Sequence, residues 1–306
     1  MAADAVLLIA FGGPTRAEEV RPFLANVLRG RPVPPERVEE VVRHYEAIGG
    51  RSPLRDLTFR QARQLEAMLA AAGPVLPVYV GMRSWEPYLA DTLARMAADG
   101  RRRAVAVILS PHASEASRER YMEEVAAASA ALGPRAPEVR YAGAWHTHPL
   151  FVTAVADAAT AALVTLPAAR RAAAALVFTA HSVPVAMAAR SPYVAEVTAS
   201  ARAVAEQLGR TRWQVAYQSR SGSRRESWLE PDVNEALRAL AAEGRRDVVV
   251  VPVGFVCDHV EVLYDLDVEA RATARAAGLG FARASTVNDH PLFIRMLAEV
   301  VAAAAA

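Results

Sequence analysis

The sequence predicts an α/β protein built from two similar doubly wound domains, each around a four-stranded parallel sheet. Three observations predict it. Short β-branched runs alternate with longer helical stretches, several of the runs are apolar almost without interruption, and the second half of the chain repeats landmarks of the first. Parallel strands covered on both faces read as continuous apolar runs, and the segments between them are long enough for crossover helices.

Taken in order, the strand candidates are Ala5–Ala10, Leu76–Gly81, Ala104–Ser110, Glu138–Tyr141, Ala174–Ala180, Trp213–Gln218, Asp247–Val253 and Gly278–Arg283. A helix opened by Glu86-Pro87 ends in Ala97-Ala98-Asp99-Gly100-Arg101-Arg102. It matches one opened by Glu230-Pro231 and ended by Ala241-Ala242-Glu243-Gly244-Arg245-Arg246, at an offset of 144 residues. His148-Pro149-Leu150-Phe151 returns as His290-Pro291-Leu292-Phe293, 142 residues on. The first strand and its turn, through Pro14, resemble Val177 to Pro184 at an offset of 170, so the first half carries about 26 extra residues after its first strand. Three matches in one order point to a duplication. The expected domains are residues 1–145, with an insertion around 20–55, and residues 146–306. Helices starting at Pro149 and Pro291 follow the last strand of each half. Proline suits a first helical turn, where its missing N–H has no intrahelical partner to lose. The last helix is expected to pack back on the first domain.

The 306 residues are 53% hydrophobic and 22% charged, the balance of a folded chain with a real core. The net charge is +2 and the arginines are spread along the chain, without the basic face of a nucleic-acid binder. The densest run, Arg101 to Arg103, reads as a solvated turn. Cys257 is the single cysteine, so no intrachain disulfide and no cysteine-ligated iron–sulfur cluster can form. The start, Met1-Ala2-Ala3-Asp4, lacks a signal peptide's basic region, and no apolar run reaches the roughly 20 residues of a membrane span. These features predict a cytoplasmic protein without a membrane anchor.

In doubly wound sheets, ligands gather at the carboxyl ends of the strands, and two such domains make a cleft the natural site. The turn after the first strand, Phe11-Gly12-Gly13-Pro14, is no dinucleotide fingerprint; its glycines let a flat ligand come close to the backbone. The matching turn of the second half carries His181, whose imidazole can bind a metal or accept a proton. After the seventh strand come Glu261, Asp265 and Glu269, spaced to share one face of a helix. Like charges so placed repel, and no lysine or arginine lies between Asp258 and Glu269. A solvated acidic face is the structural reading. The functional one is a row of hard oxygen ligands leading a hydrated divalent metal inward, with imidazole and carboxylate suiting Fe(II), Mn(II) or Co(II) better than Cu(I). Cys257 reads as a small buried hydrophobe. His112 follows a strand but receives no catalytic role.

Five stretches together resemble the ferrochelatase family, the class II chelatases of heme synthesis. They are Leu8 to Pro14, Tyr45 to Leu54, Thr179 to Pro184, Tyr217-Gln218-Ser219-Arg220, and Gly254 to Asp265. The resemblance runs over nearly the whole chain. It implies two Rossmann-like, chelatase-like domains with a porphyrin cleft between them, and insertion of ferrous iron into a porphyrin with release of two protons. It also implies His181 and Glu261 as the catalytic pair, with His181, Glu261, Asp265 and Glu269 as metal-handling residues. Phe11, Arg29, Arg31, Arg51, Ser52 and Tyr264 are the expected substrate contacts, because arginine forks match propionates. The Arg29-Gly30-Arg31 stretch is similar to that of soluble coproporphyrin ferrochelatases, which makes coproporphyrin III the expected substrate. Protoporphyrin IX insertion, a cobalt or nickel tetrapyrrole chelatase, and a heme or porphyrin carrier are the alternatives. Iron and porphyrin are the expected partners and the expected state is a monomer. No resident cofactor is expected, beyond a possible additional divalent cation at the acidic row. Phe11 stands where some relatives have tyrosine, and Cys257 where serine is common.

Overall fold

The computed structural model describes residues 2–29, 33–73, 75–221 and 226–305. It divides into two compact units, residues 1–110, 116–145 and 288–306 in the first, and residues 111–115 and 146–287 in the second.

The first unit holds strands β1 (Ala5–Ala10), β2 (Val78–Met82), β3 (Arg103–Ile108) and β4 (Glu138–Tyr141), all parallel, in the order β2-β1-β3-β4. All six residues of β1 are buried, as befits a central strand covered on both faces. Edge strand β4 buries none of its four residues. Between β1 and β2 run α1 (Val20–Val27), α2 (Pro35–Ala47) and α3 (Leu54–Ala72). Next come α4 (Leu89–Ala98) after β2 and α5 (Arg120–Leu132) after β3. Leu7 and Ile9 pack with Leu89, Leu93 and Met96 of α4 and with Tyr121 and Val125 of α5.

The second unit repeats the plan with β5 (Ala175–His181), β6 (Trp213–Gln218), β7 (Asp247–Val251) and β8 (Gly280–Arg283), parallel in the order β6-β5-β7-β8. Its helices are α6 (Pro149–Thr165), the single turn α7 (Val185–Ala188), α8 (Tyr193–Gln207), α9 (Val233–Ala242), α10 (Val260–Leu263) and α11 (Arg271–Ala276). Val177 of β5 packs with Leu237 and Leu240 of α9, Val262 of α10 and Ala274 of α11. Helix α8 packs against β5 and β6, and α6 against β7 and β8. The last helix, α12 (Pro291–Ala305), belongs to the first unit, where Gln61 of α3 donates to the carbonyl of Asn288 at 2.7 Å and Phe293 meets Trp145 edge-on.

Proline and glycine set the strand limits that the apolar runs left blurred. Strand β7 stops at Val251, before Pro252, which has no N–H for a ladder. Strand β8 starts at Gly280, because Gly278, at φ +75°, ends α11 in the left-handed conformation that glycine adopts without strain. One larger difference concerns the acidic row. Glu261 lies in α10, but residues Asp265–Ala270 form a π-helix, marked by a bond from Glu269 N–H to the Tyr264 carbonyl, before α11 resumes. Such interruptions gather at functional sites.

Candidate active site

His181 is the last residue of β5. Alternation along a strand puts it on the same face as Val177, the face that α10 covers. There Nε2 of His181 lies 3.5 Å from Oε1 of Glu261. The other carboxylate oxygen of Glu261 meets Nε2 of His259 at 3.2 Å. One carboxylate therefore stands between two imidazoles.

Both imidazoles are fixed from behind by main-chain carbonyls. Nδ1 of His181 bonds the carbonyl of Ser182, and Nδ1 of His259 bonds that of Cys257 at 3.1 Å. A carbonyl only accepts, so each Nδ1 carries hydrogen. In a neutral His181 ring Nε2 turns a lone pair toward Glu261, and a second proton on that nitrogen completes a charged pair. Burial works against a charged His181, but the charge and hydrogen bond of Glu261 outweigh it and raise its pKa to about 9. Burial likewise opposes the Glu261 carboxylate, and the two histidines outweigh it and push its pKa down. Each partner thus favours the charged form of the other. Both side chains keep solvent access, with 29% and 35% of their surface exposed.

Asp265 continues the row. Its carboxylate accepts from the hydroxyl of Ser219, a residue at φ +62° after β6. Burial, with the charges of Glu261 and Glu269, pushes Asp265 up to about 7 against the pull of that hydroxyl. Glu269, at the outer end, is exposed. Other acids of the segment are structural: the partly buried guanidinium of Arg283 binds Asp258 at 3.0 Å and also clasps Asp267, which Arg271 holds as well. Gln218, 1% exposed, donates to the main-chain carbonyl of Glu261 at 2.6 Å and ties β6 to α10. Among the described residues, no three histidine, cysteine or acidic side chains form a ready metal cage.

Of the expected site residues, His181, Glu261 and Asp265 come together in the second unit, with Glu269 at the end of their row. Tyr264 closes α10, where its carbonyl accepts the N–H groups of Val268 and Glu269. The remaining candidates belong to the first unit. Phe11 follows β1 and meets Phe23 edge-on at 6.1 Å. Ser52 is buried; its N–H bonds the Pro14 carbonyl at 2.8 Å and its hydroxyl accepts from Leu54 N–H. Gly13 makes that contact possible, since a Cβ there would stand 2.9 Å from Cβ of Ser52. Arg51 is exposed beside Gly49 and Gly50, which both have positive φ. Arg29 is exposed and bonds Asn26 at 2.9 Å. Arg31 lies outside the described residues. The sequence reading passed over His259, Gln218 and Ser219 as site residues. The spacing of His259 two residues before Glu261 was the available signal. Gln218 and Ser219 lie in the Tyr217-Gln218-Ser219-Arg220 stretch that carries the resemblance, without a chemistry of their own to single them out.

The doubly wound α/β architecture is shared with solved structures. SirB from Bacillus subtilis with Fe3+ superposes at a TM-score of 0.61 and 14% identity, covering 99% of this chain and 95% of that one. CbiX, described as the terminal enzyme for siroheme biosynthesis in denitrifying bacteria, gives 0.57 at 17% identity, covering 99% and 100%. A sequence model of the ferrochelatase family matches residues 3–305, and the chain belongs to that family. The coproporphyrin III ferrochelatase of Mycolicibacterium smegmatis is 45% identical over 304 residues, 98% of this chain and 89% of that protein. The protein of the same description from Mycobacterium avium is 48% identical over 301 residues, 97% and 87%. No helix among the described residues is long and apolar enough to cross a membrane.

Proposed function

We propose that this protein inserts ferrous iron into coproporphyrin III, with His181 and Glu261 as the catalytic pair. The observation that carries the reading is the 3.5 Å contact between Nε2 of His181 and Glu261, with both imidazole Nδ1 atoms tied to carbonyls. Iron insertion removes two protons from the pyrrole nitrogens, so it needs proton acceptors close to a path for metal. The site holds both in one line. Fe(II) approaching Glu261 competes with His181 for the carboxylate. Its charge weakens the hold on the imidazole proton, and His181 passes that proton outward and becomes a base for a pyrrole N–H. Asp265, with its pKa near neutrality, is suited to take protons in turn. Iron held along the single carboxylates of Glu269, Asp265 and Glu261 keeps much of its water shell, which suits delivery.

Arg29, Arg31 and Arg51 are proposed to pair with the porphyrin carboxylates. The coproporphyrin choice rests on the two relatives named above, which both carry that description. A cytoplasmic monomer with no resident cofactor completes the proposal. The test is anaerobic: protein, Fe(II) and coproporphyrin III or protoporphyrin IX are mixed and the Soret band is followed. The wild type should metallate coproporphyrin III faster, while His181→Ala should bind the porphyrin and leave it metal-free. Full activity in that variant refutes the role given to His181.

A further inference from the structure

Parallel strands satisfy their backbone groups alternately with one neighbour and the other. Along β5, the carbonyl of Thr179 points toward the β7 side and accepts from Gly254 N–H at 3.0 Å. The carbonyl of His181, two residues on, points the same way, but β7 has ended at Val251. The phenol of Tyr193 takes its place, donating to the His181 carbonyl at 2.8 Å. The duplicated half offers the comparison. There Phe11 holds the matching place, and its carbonyl accepts a main-chain N–H, that of Ser84, at 2.8 Å. Only the half with the histidine spends a side chain on this bond.

That side chain is itself firmly held. Tyr193, 5% exposed, starts α8, and Glu196 and Ser200 follow on the same inner face. Glu196 accepts the Ala113 N–H at 2.6 Å. Ser200 donates to the carbonyl of His146 at 2.8 Å. Its only proton is thereby used, so it accepts from Nε2 of His112 at 2.9 Å, which fixes that ring as the Nε2–H form. The His112 ring then stands edge-on to Tyr193, centroids 6.2 Å apart. The phenol is wedged from its side and bonded at its tip.

We propose that Tyr193 is a positioning residue for metal insertion: its hydroxyl anchors the peptide that follows His181, so that the imidazole stays turned toward Glu261. The next carbonyl along, that of Ser182, is the one that fixes Nδ1 of His181. The 181–182 peptide is thus held at both ends, its N–H donating to the Gln218 carbonyl at 2.7 Å and its carbonyl accepting from Tyr193, just ahead of the carbonyl that orients the imidazole. This inference rests on the role given to His181 above.

Tyr193→Phe keeps the packed ring and removes only the hydroxyl. It should leave the KM for coproporphyrin III and the thermal midpoint nearly unchanged and lower kcat about five- to tenfold, the scale of one lost hydrogen bond. The 15N resonances of the His181 imidazole should move while those of His148 and His290 stay. Unchanged kcat, or a loss of kcat that tracks the loss of folded protein with the His181 resonances unmoved, overturns the proposal. His181→Ala in the same assay separates the two ideas. If it is inactive while Tyr193→Phe is fully active, only the positioning role falls. If it is active, the role of His181 falls first.

Discussion

Glu261→Gln keeps the shape of the side chain and removes the charge that faces His181. At 3.5 Å, two unit charges interact by about 1 kcal/mol in water and about 5 kcal/mol at the effective dielectric of a protein surface. At about 1.4 kcal/mol per pKa unit, these limits correspond to roughly one and three units. With 35% of Glu261 open to solvent, screening places the expected fall near two units. The His181 midpoint, about 9 in the wild type, should therefore drop to about 7. Two-dimensional 15N correlation spectra of the imidazoles between about pH 5 and 10 measure this directly. The same variant should lose about two orders of magnitude in kcat, the lower range for removal of acid–base chemistry. A His181 midpoint within half a unit of the wild-type value would refute the charge-pair argument, whatever happened to the rate.

Stability should follow the same pair. The folded-state pKa of His181 lies above its unfolded value of 6.5, so its contribution is fully present below about pH 6.5 and is lost as pH rises through about 9. Urea titrations should find that Glu261→Gln flattens this loss. Asp265 is raised from 3.8 to about 7, so the fold retains a proton that the unfolded chain has released, and stability falls between those values as pH rises. Asp265→Asn, which copies the neutral acid, should gain stability relative to the wild type on going from pH 4.5 to 8, with a changed dependence on iron concentration and a modest effect on kcat. Arg283→Leu leaves Asp258 without this cation and Asp267 with Arg271, and should cost about 2 kcal/mol in chemical denaturation. Gly254→Ala puts a Cβ 2.6 Å from Cβ of Ala180, beside His181. It should cost about 1–3 kcal/mol and lower kcat, and an unchanged denaturation midpoint would argue against that close approach.

The fold was largely legible because buried parallel strands leave a signature in local composition. All eight strand candidates became strands, and the repeat of Glu-Pro helices and His-Pro-Leu-Phe turns appears as two sheets of identical strand order. Strand ends were less legible, because the last residue of a ladder depends on its neighbour. The resemblance implied His181 and Glu261 as a central pair facing each other across a macrocycle; their direct contact at 3.5 Å comes from the tertiary structure. The i, i+4, i+8 spacing suggested a regular helix, and the π-helix at Asp265–Ala270 departs from it through a bond choice at Tyr264 that side-chain spacing does not encode.

By itself, the sequence determined the α/β class, the duplication, the lack of cysteines for a cluster, and the residue types able to handle a metal and protons. These are properties of composition and order, and they survive without coordinates. Only the tertiary structure decided which groups face which. It put His259 on the second oxygen of Glu261, gave Asp258 and Asp267 to Arg283, and set Ser219 on Asp265 and Tyr193 on the His181 carbonyl. His259 is two residues from Glu261, but the other partners lie between 12 and 46 residues apart in the chain. Charge and hydrogen-bond strength depend on separations of a few ångströms, which folding sets and sequence distance does not.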